Sequence, residues 1–211
     1  MRPVRIIVFA KAPVAGQVKT RLIPALGAQG AANLARAMLT RTLAAALAAR
    51  VGPVELCASP AIDAPSWAGF VADAQVAITG QGEGNLGDRM SRAAQRSLAR
   101  GELPILIGTD CVEMSPELLA EAAAQLAAHD LVLYPAHDGG YALLGLTRFD
   151  ARLFEDIAWS TASVAGTTLA RAHEIGLRVW TGRRLHDVDR TEDLHHLPIA
   201  LRTEIALRTE N

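Results

Sequence analysis

The chain has 211 residues, of which 50% are hydrophobic and 20% charged, and its formal net charge is -1. That is enough chain for one large α/β domain with its own core, and the missing basic excess argues against nucleic acid as the main partner. The two cysteines, Cys57 and Cys111, have neither metal-ligand spacing nor a disulfide framework, so a reducing, cytoplasmic setting is expected.

A first strand is predicted over residues 4–9, followed by a cationic loop and a helix over 28–49 that Gly52-Pro53 ends. Strands are read over 54–57 and 75–79, then a polar glycine-rich loop over 80–87 and a helix over 86–100. A buried strand over 104–108 ends in Thr109-Asp110. Ser115 caps the next helix, with Pro116 at its first position and its end at His129. A strand over 130–135 turns at His137-Asp138-Gly139-Gly140 into a strand over 141–146, and the short connection makes that pair antiparallel. A helix within 161–175, a strand over 177–180 and a helix over 192–208 complete the chain. Alternating strands and helices predict a mostly parallel sheet covered on both faces. No repeat, linker or boundary divides it, so residues 1–211 read as one domain. No signal peptide is read at the start, and the run over 39–49 is too short and too punctuated by arginine to span a bilayer.

The only two lysines, Lys11 and Lys19, share the loop after the first strand with Gly16 and Arg21, while arginine supplies every other strong cation. An ammonium is a compact point charge and a guanidinium a wide fork. A cationic glycine-containing loop between a first strand and a first helix is where α/β proteins hold phosphates, although a solvated basic turn has the same composition. Asp110 follows a buried strand, at the sheet edge where such folds bind ligands, and a carboxylate there needs a compensating cation or serves as a helix cap. Mg²⁺ or Mn²⁺, held by one or two carboxylates plus substrate phosphates, meets the first need. Glu113 lies on the same loop with less claim. Asp187 and Asp189 point the same way if their segment is extended, and are metal or substrate candidates. Glu192 and Asp193 read as helix-dipole partners, and His195 and His196 as surface residues of that last helix. Asp138-Gly139-Gly140-Tyr141 offers close backbone approach to a ligand or an ordinary hairpin turn. Trp159 is an aromatic wall or a core residue, and Gly84 to Met90, with Arg89, either greet a ligand or start a helix.

Together the stretches FAKAPVAGQVKTRL, GNLGDRM, IGTDC, PAHDGGYALLGL, WST and DVDRTEDL, which run from Phe9 to Leu194, resemble a specific family. It is the bacterial glycosyltransferase-like proteins related to molybdenum-cofactor and 2-phospholactate guanylyltransferases, some of them named for arsenosugar biosynthesis. The resemblance implies a GT-A-like nucleotide-diphospho-sugar transferase fold, a three-layer αβα sandwich with a mixed, mostly parallel sheet. By position, Lys11, Gly16, Lys19 and Arg21 match the loop that faces nucleotide phosphates, with Arg89 beside them. Asp110 matches the metal-binding aspartate, and the segment from Asp187 to Asp189 the late acidic motif that supplies a second metal contact. Asp138, Gly139, Gly140 and Tyr141 match the acceptor-side loop, to which Trp159 is added. The chain departs from the pattern at Val112, where the family usually has proline, and at Arg190 and Thr191, where it has threonine and proline. Neither change removes a charged group.

The expected activity is glycosyl transfer from a nucleotide-diphospho-sugar to a small-molecule acceptor, with Mg²⁺ or Mn²⁺ at Asp110, Lys19 and Arg21 neutralising the leaving diphosphate and Asp138 as base. Nucleotidyl transfer with release of pyrophosphate is the alternative, and a non-catalytic nucleotide-binding module the third reading. A P-loop is excluded because the Gly-Lys-Ser/Thr order is missing around Lys19. No nucleic acid or membrane partner is expected, and a homodimer is left open.

Overall fold

The computed structural model describes residues 2–202. Strands β1 Val4–Lys11, β2 Val54–Ser59, β3 Val76–Gly80, β4 Leu103–Ile107, β5 Leu131–Pro135, β6 Tyr141–Leu146 and β7 Val179–Thr181 form one sheet in the order β3-β2-β1-β4-β6-β5-β7. β6 runs antiparallel to β4 and β5, as its short connection from β5 requires. The other pairings are parallel.

The apolar run of β1 is continuous because both faces of the sheet are covered. Ile6, Val8 and Ala10 pack with Leu39, Leu43 and Ala46 of helix α1 Ile23–Ala49, and with Leu118, Leu119 and Ala122 of α3 Pro116–Gln125. Ile7 faces the other way, towards Met90, Ala93 and Ala94 of α2 Leu86–Ala99 and Ala165 and Ala172 of α4 Val164–Glu174. The result is the three-layer αβα sandwich with a mixed, mostly parallel sheet.

The expected helix start at residue 28 coincides with a kink, since Gly27 has φ 69 inside α1. α3 stops at Gln125, before the expected His129, and the chain turns through residues 126–129. The expected helix over 192–208 is corrected for its described part. Residues Thr191–His196 form a 3-10 turn, Leu197 is extended, and helix resumes only at residue 199. Pro198 has no N–H and its ring excludes the preceding residue from helical geometry. The rest of that expected helix lies outside the described residues. Among them, no helix is long and apolar enough to cross a membrane.

From β1 the chain steps outward to β2 and β3, then returns to lay β4 on the opposite side of β1. The carboxyl ends of β1 and β4 therefore flank the point where strand order reverses, the place where open α/β sheets hold ligands. The loop with Lys19 leaves one of these ends and the loop with Asp110 the other.

Candidate functional site

Lys19 occupies the left-handed region, at φ 48 and ψ 38, just before the 3-10 turn Thr20–Leu22. A non-glycine residue there costs on the order of 1 kcal/mol and persists only where its surroundings fix it. They do so here. The Lys19 ammonium lies 2.5 Å from Asp110 Oδ1 and 3.1 Å from Asp189 Oδ1, and donates to Val188 O at 2.5 Å. Its side chain is 5% exposed, whereas those of Asp110 and Asp189 are 46% and 40% exposed. Burial alone lowers a lysine pKa, but the charges of Asp110 and Asp189 outweigh it and hold Lys19 above its ordinary value. All three ammonium protons have partners.

The loops are locked from behind. Val188 N donates to Asp110 O at 2.9 Å, and Cys111 and Asp187 form an isolated antiparallel bridge. Leu22, Val112 and Val188 bury together against Leu34 and Met38 of α1. Each sits within a few residues of Lys19, Asp110 or the late aspartates, so one apolar cluster sets the position of all three charged segments. Val112, the residue found in place of the family's proline, works as an apolar anchor of this cluster. Asp110 does not cap α3, because the Ser115 hydroxyl does so by accepting from Leu118 N.

Asp187 is half-buried in the same cleft. Burial, with the charges of Asp110, Asp138 and Asp189 added to it, pushes its carboxyl up to about 7. Asp138 sits on the β5–β6 turn, where its Oδ1 accepts from Gly140 N at 2.8 Å.

Two lobes meet at these charges. The larger, of about 570 Å³, is lined by Lys11, Gln17, Lys19, Gln81, Asn85 and Arg89 among others. The smaller, of about 220 Å³, is lined by Phe9, Met90, Tyr141 and Trp159 on one side and by Asp110, Asp138, Asp187 and Asp189 on the other. Phe9, Leu86, Gly108, Asp110, Ser160 and Asp189 line both. Tyr141 and Trp159 pack edge to face, their ring centroids 6.4 Å apart. Burial holds the Tyr141 phenol above its ordinary pKa.

The glycines of two motifs make room for the Trp159 segment. A Cβ on Gly87 would meet Phe154 O at 2.5 Å and Trp159 Nε1 at 2.7 Å. Gly139 has φ +92, and its Cβ would meet Ala162 O at 2.2 Å. The GNLGDRM stretch also starts a helix. The Asn85 side chain accepts from Asp88 N while Asp88 accepts from Asn85 N, a reciprocal cap at the opening of α2. Its N-terminus borders the larger lobe, where backbone N–H groups favour anions.

Not every expected residue comes to the cleft. Arg21 is exposed and lines neither lobe, and Gly16, at φ 80, serves the turn instead. Lys11 and Arg89 line the larger lobe, and Arg89 donates to Gly84 O and Gln81 Oε1. Glu113 is tied to Arg183 and to His186, away from the carboxylate group. Gln81 went unread in the sequence. It is buried, donates to Ala10 O and Cys57 O, and ties the ends of β1 and β2 together under the larger lobe. The histidines were unread as a group. His137, His186 and His196 stack with centroids 4.0 and 3.9 Å apart, and His195 lies tilted against His196 at 3.8 Å.

The donors of the cleft are carboxylate oxygens, which suit a hard divalent cation. Among the described residues, no group of three or more His, Cys, Asp or Glu forms a ready-made metal cluster. The expected set of Asp110, Asp187 and Asp189 is thus not a closed shell, and an ion held by one or two of them with substrate phosphates needs none.

The fold is that of the nucleotide-diphospho-sugar transferase class. Residues 42–161 match the family described as uncharacterized protein conserved in bacteria, DUF2064, and the chain belongs to that family. It is 30% identical to a protein of Desulfovibrio desulfuricans G20 provisionally assigned as a nucleotide-diphospho-sugar transferase, with a TM-score of 0.87, over 100% of this chain and 96% of that one. Two further structures share the fold at lower identity. Rv0371c of Mycobacterium tuberculosis H37Rv, in complex with manganese, is 18% identical with a TM-score of 0.50, over 92% of this chain and 97% of that one. The inositol-1-phosphate CTP transferase of T. maritima is 13% identical with a TM-score of 0.55, over 98% and 96%. No curated protein matches the chain.

Proposed function

We propose that the protein is a glycosyltransferase that uses a nucleotide-diphospho-sugar and a divalent cation. The observation that carries this reading is the meeting of Lys19, Asp110 and Asp189 at the switch point, on the boundary of two lobes. The larger lobe takes the nucleoside diphosphate, with Lys11 and Arg89 beside its phosphates. The smaller lobe takes the sugar and acceptor.

Asp110, with Asp187 or Asp189, would hold Mg²⁺ or Mn²⁺, which supplies charge neutralisation for the diphosphate. The acceptor oxygen forms a bond to the anomeric carbon as the bond from that carbon to the diphosphate breaks, and the electron pair leaves with the nucleoside diphosphate. Lys11 and Arg89 stabilise the leaving charge, an electrostatic contribution of about 3 kcal/mol or more in related cases. Asp138, fixed by the Gly140 N–H, takes the acceptor proton. Lys19 acts one step back from the substrate. With its protons committed, it holds Asp110 and Asp189 together in place of touching phosphate itself.

The test is product analysis with Mn²⁺ and a panel of nucleotide sugars and nucleoside triphosphates. Release of a nucleoside diphosphate supports glycosyl transfer. Release of pyrophosphate assigns nucleotidyl transfer instead, and nucleotide binding without product leaves a binding module.

A further inference from the structure

The charge of the smaller lobe says what kind of acceptor enters it. Asp110, Asp138, Asp187 and Asp189 line it, and no lysine, arginine or histidine does. The nearest ammonium, that of Lys19, is turned towards Asp110, Asp189 and Val188 O. Neither Asp138 nor Asp187 makes an ion pair among the described residues. A divalent ion shared with a donor diphosphate is already offset by that diphosphate, so it does not make the lobe cationic. The opposite wall is apolar and aromatic, with the edge of Trp159 against Tyr141. Such a wall accepts the C–H face of a ring, while carboxylates opposite it accept hydrogen bonds from hydroxyl or ammonium groups.

We propose that the smaller lobe selects a hydroxylated acceptor that is neutral or bears an amine, and rejects phosphorylated and carboxylated ones. An anionic acceptor would have to enter a partly desolvated space lined by four acidic side chains with no basic side chain to receive it. An amine-bearing acceptor gains from the same groups. This inference rests on the proposed glycosyl transfer and sharpens it. The T. maritima neighbour is named for a phosphorylated substrate, and the smaller lobe of this chain has no basic side chain to pair with one.

The experiment measures dissociation constants by calorimetry for glucose, glucosamine and glucose 6-phosphate, and for glycerol and glycerol 3-phosphate. Each is titrated into the wild-type protein with and without nucleoside diphosphate and Mn²⁺. The expected result is binding of the neutral or amine probe at least tenfold more tightly than that of its phosphorylated partner. Equal or tighter binding of the phosphorylated probes overturns the proposal, as does no binding by any of the five. Thr161→Arg, which puts a cation at the lobe's exposed rim, is expected to narrow the preference about tenfold, and an unchanged preference counts against charge as its cause. Binding of nucleoside diphosphate with Mn²⁺, recorded in the same cell, tests the transfer reading separately. It fails or holds independently of the acceptor ranking.

Discussion

The two lobes of the cleft are built from opposite materials. The larger offers Lys11, Arg89, the amides of Gln17 and Asn85, and the opening of α2. The smaller offers aromatic rings and carboxylates. They touch at Asp110 and Asp189, which Lys19 holds from below. A diphosphate ester has this polarity. Its anionic end needs cations and N–H donors, and its sugar end needs an apolar face and groups that accept protons. The boundary between the lobes is then where the scissile bond belongs, and each lobe should fail in its own way when altered.

The largest effect is expected at the boundary. Asp110→Asn should lower turnover by on the order of 10²–10³-fold, with a thermal midpoint close to wild type, and a variant within threefold of wild type would remove Asp110 from the chemistry. Lys19→Ala should come next. It leaves Asp110, Asp189 and Val188 O without their shared donor, at a cost of about 1–3 kcal/mol in stability. Turnover should fall further than that loss explains, by about a hundredfold under conditions where the variant is fully folded. Equal losses in both would make Lys19 a structural residue only. Lys19→Arg should not rescue, because the buried space fits an ammonium and not a planar fork.

The lobes themselves separate in steady-state kinetics. Arg89→Ala should raise KM for the donor nucleotide about tenfold and leave the acceptor within twofold, whereas Trp159→Ala, in the lobe that takes sugar and acceptor, should raise KM for the acceptor about tenfold. That is about 1.4 kcal/mol per lobe. If both variants moved the same KM, the division into lobes would be wrong.

The smallest effect is a pH signature of the acidic lobe. Asp187 titrates at about 7 in the folded protein against an ordinary 3.8. The folded state thus keeps a proton that the unfolded chain has released. This contribution to stability is fully present below about pH 4 and is lost as pH rises through 7. Without added metal, Asp187→Asn should melt a few degrees above wild type at pH 8 and at the same temperature at pH 4. An equal difference at both pH values would contradict the crowded-carboxylate picture.

Much of this arrangement was legible in the sequence, and the parts that were not share a cause. The inner strands read clearly because both their faces are buried, and the antiparallel β6 because Asp138-Gly139-Gly140 leaves no length for a crossover. Asp110 read as a sheet-edge carboxylate from the buried strand before it. In the sequence Lys19 and Arg21 share one cationic loop and one expected role at the phosphates. The 3-10 turn over Thr20–Leu22 separates them, since with three residues per turn Leu22 goes inward and Arg21 goes to solvent. The reason for Gly87 and Gly139 lies in Trp159 and Ala162, distant in sequence, and no local pattern announces such a contact. His195 and His196 read as surface residues of a helix that Pro198 prevents, and the stacking of His196 on His186 follows from the turn that forms instead. Local chemistry was readable, whereas partners brought together by the fold were not.

The central claim is that a divalent ion and the Asp110–Lys19–Asp189 boundary grip a diphosphate together. Calorimetry of a panel of nucleoside diphosphates, with and without Mn²⁺, on wild type and Asp110→Asn tests it most directly. The account expects at least one nucleotide to bind wild type tenfold or more tightly with Mn²⁺, and expects that gain to vanish in Asp110→Asn. Nucleotide binding that is indifferent to both the metal and the substitution would contradict it.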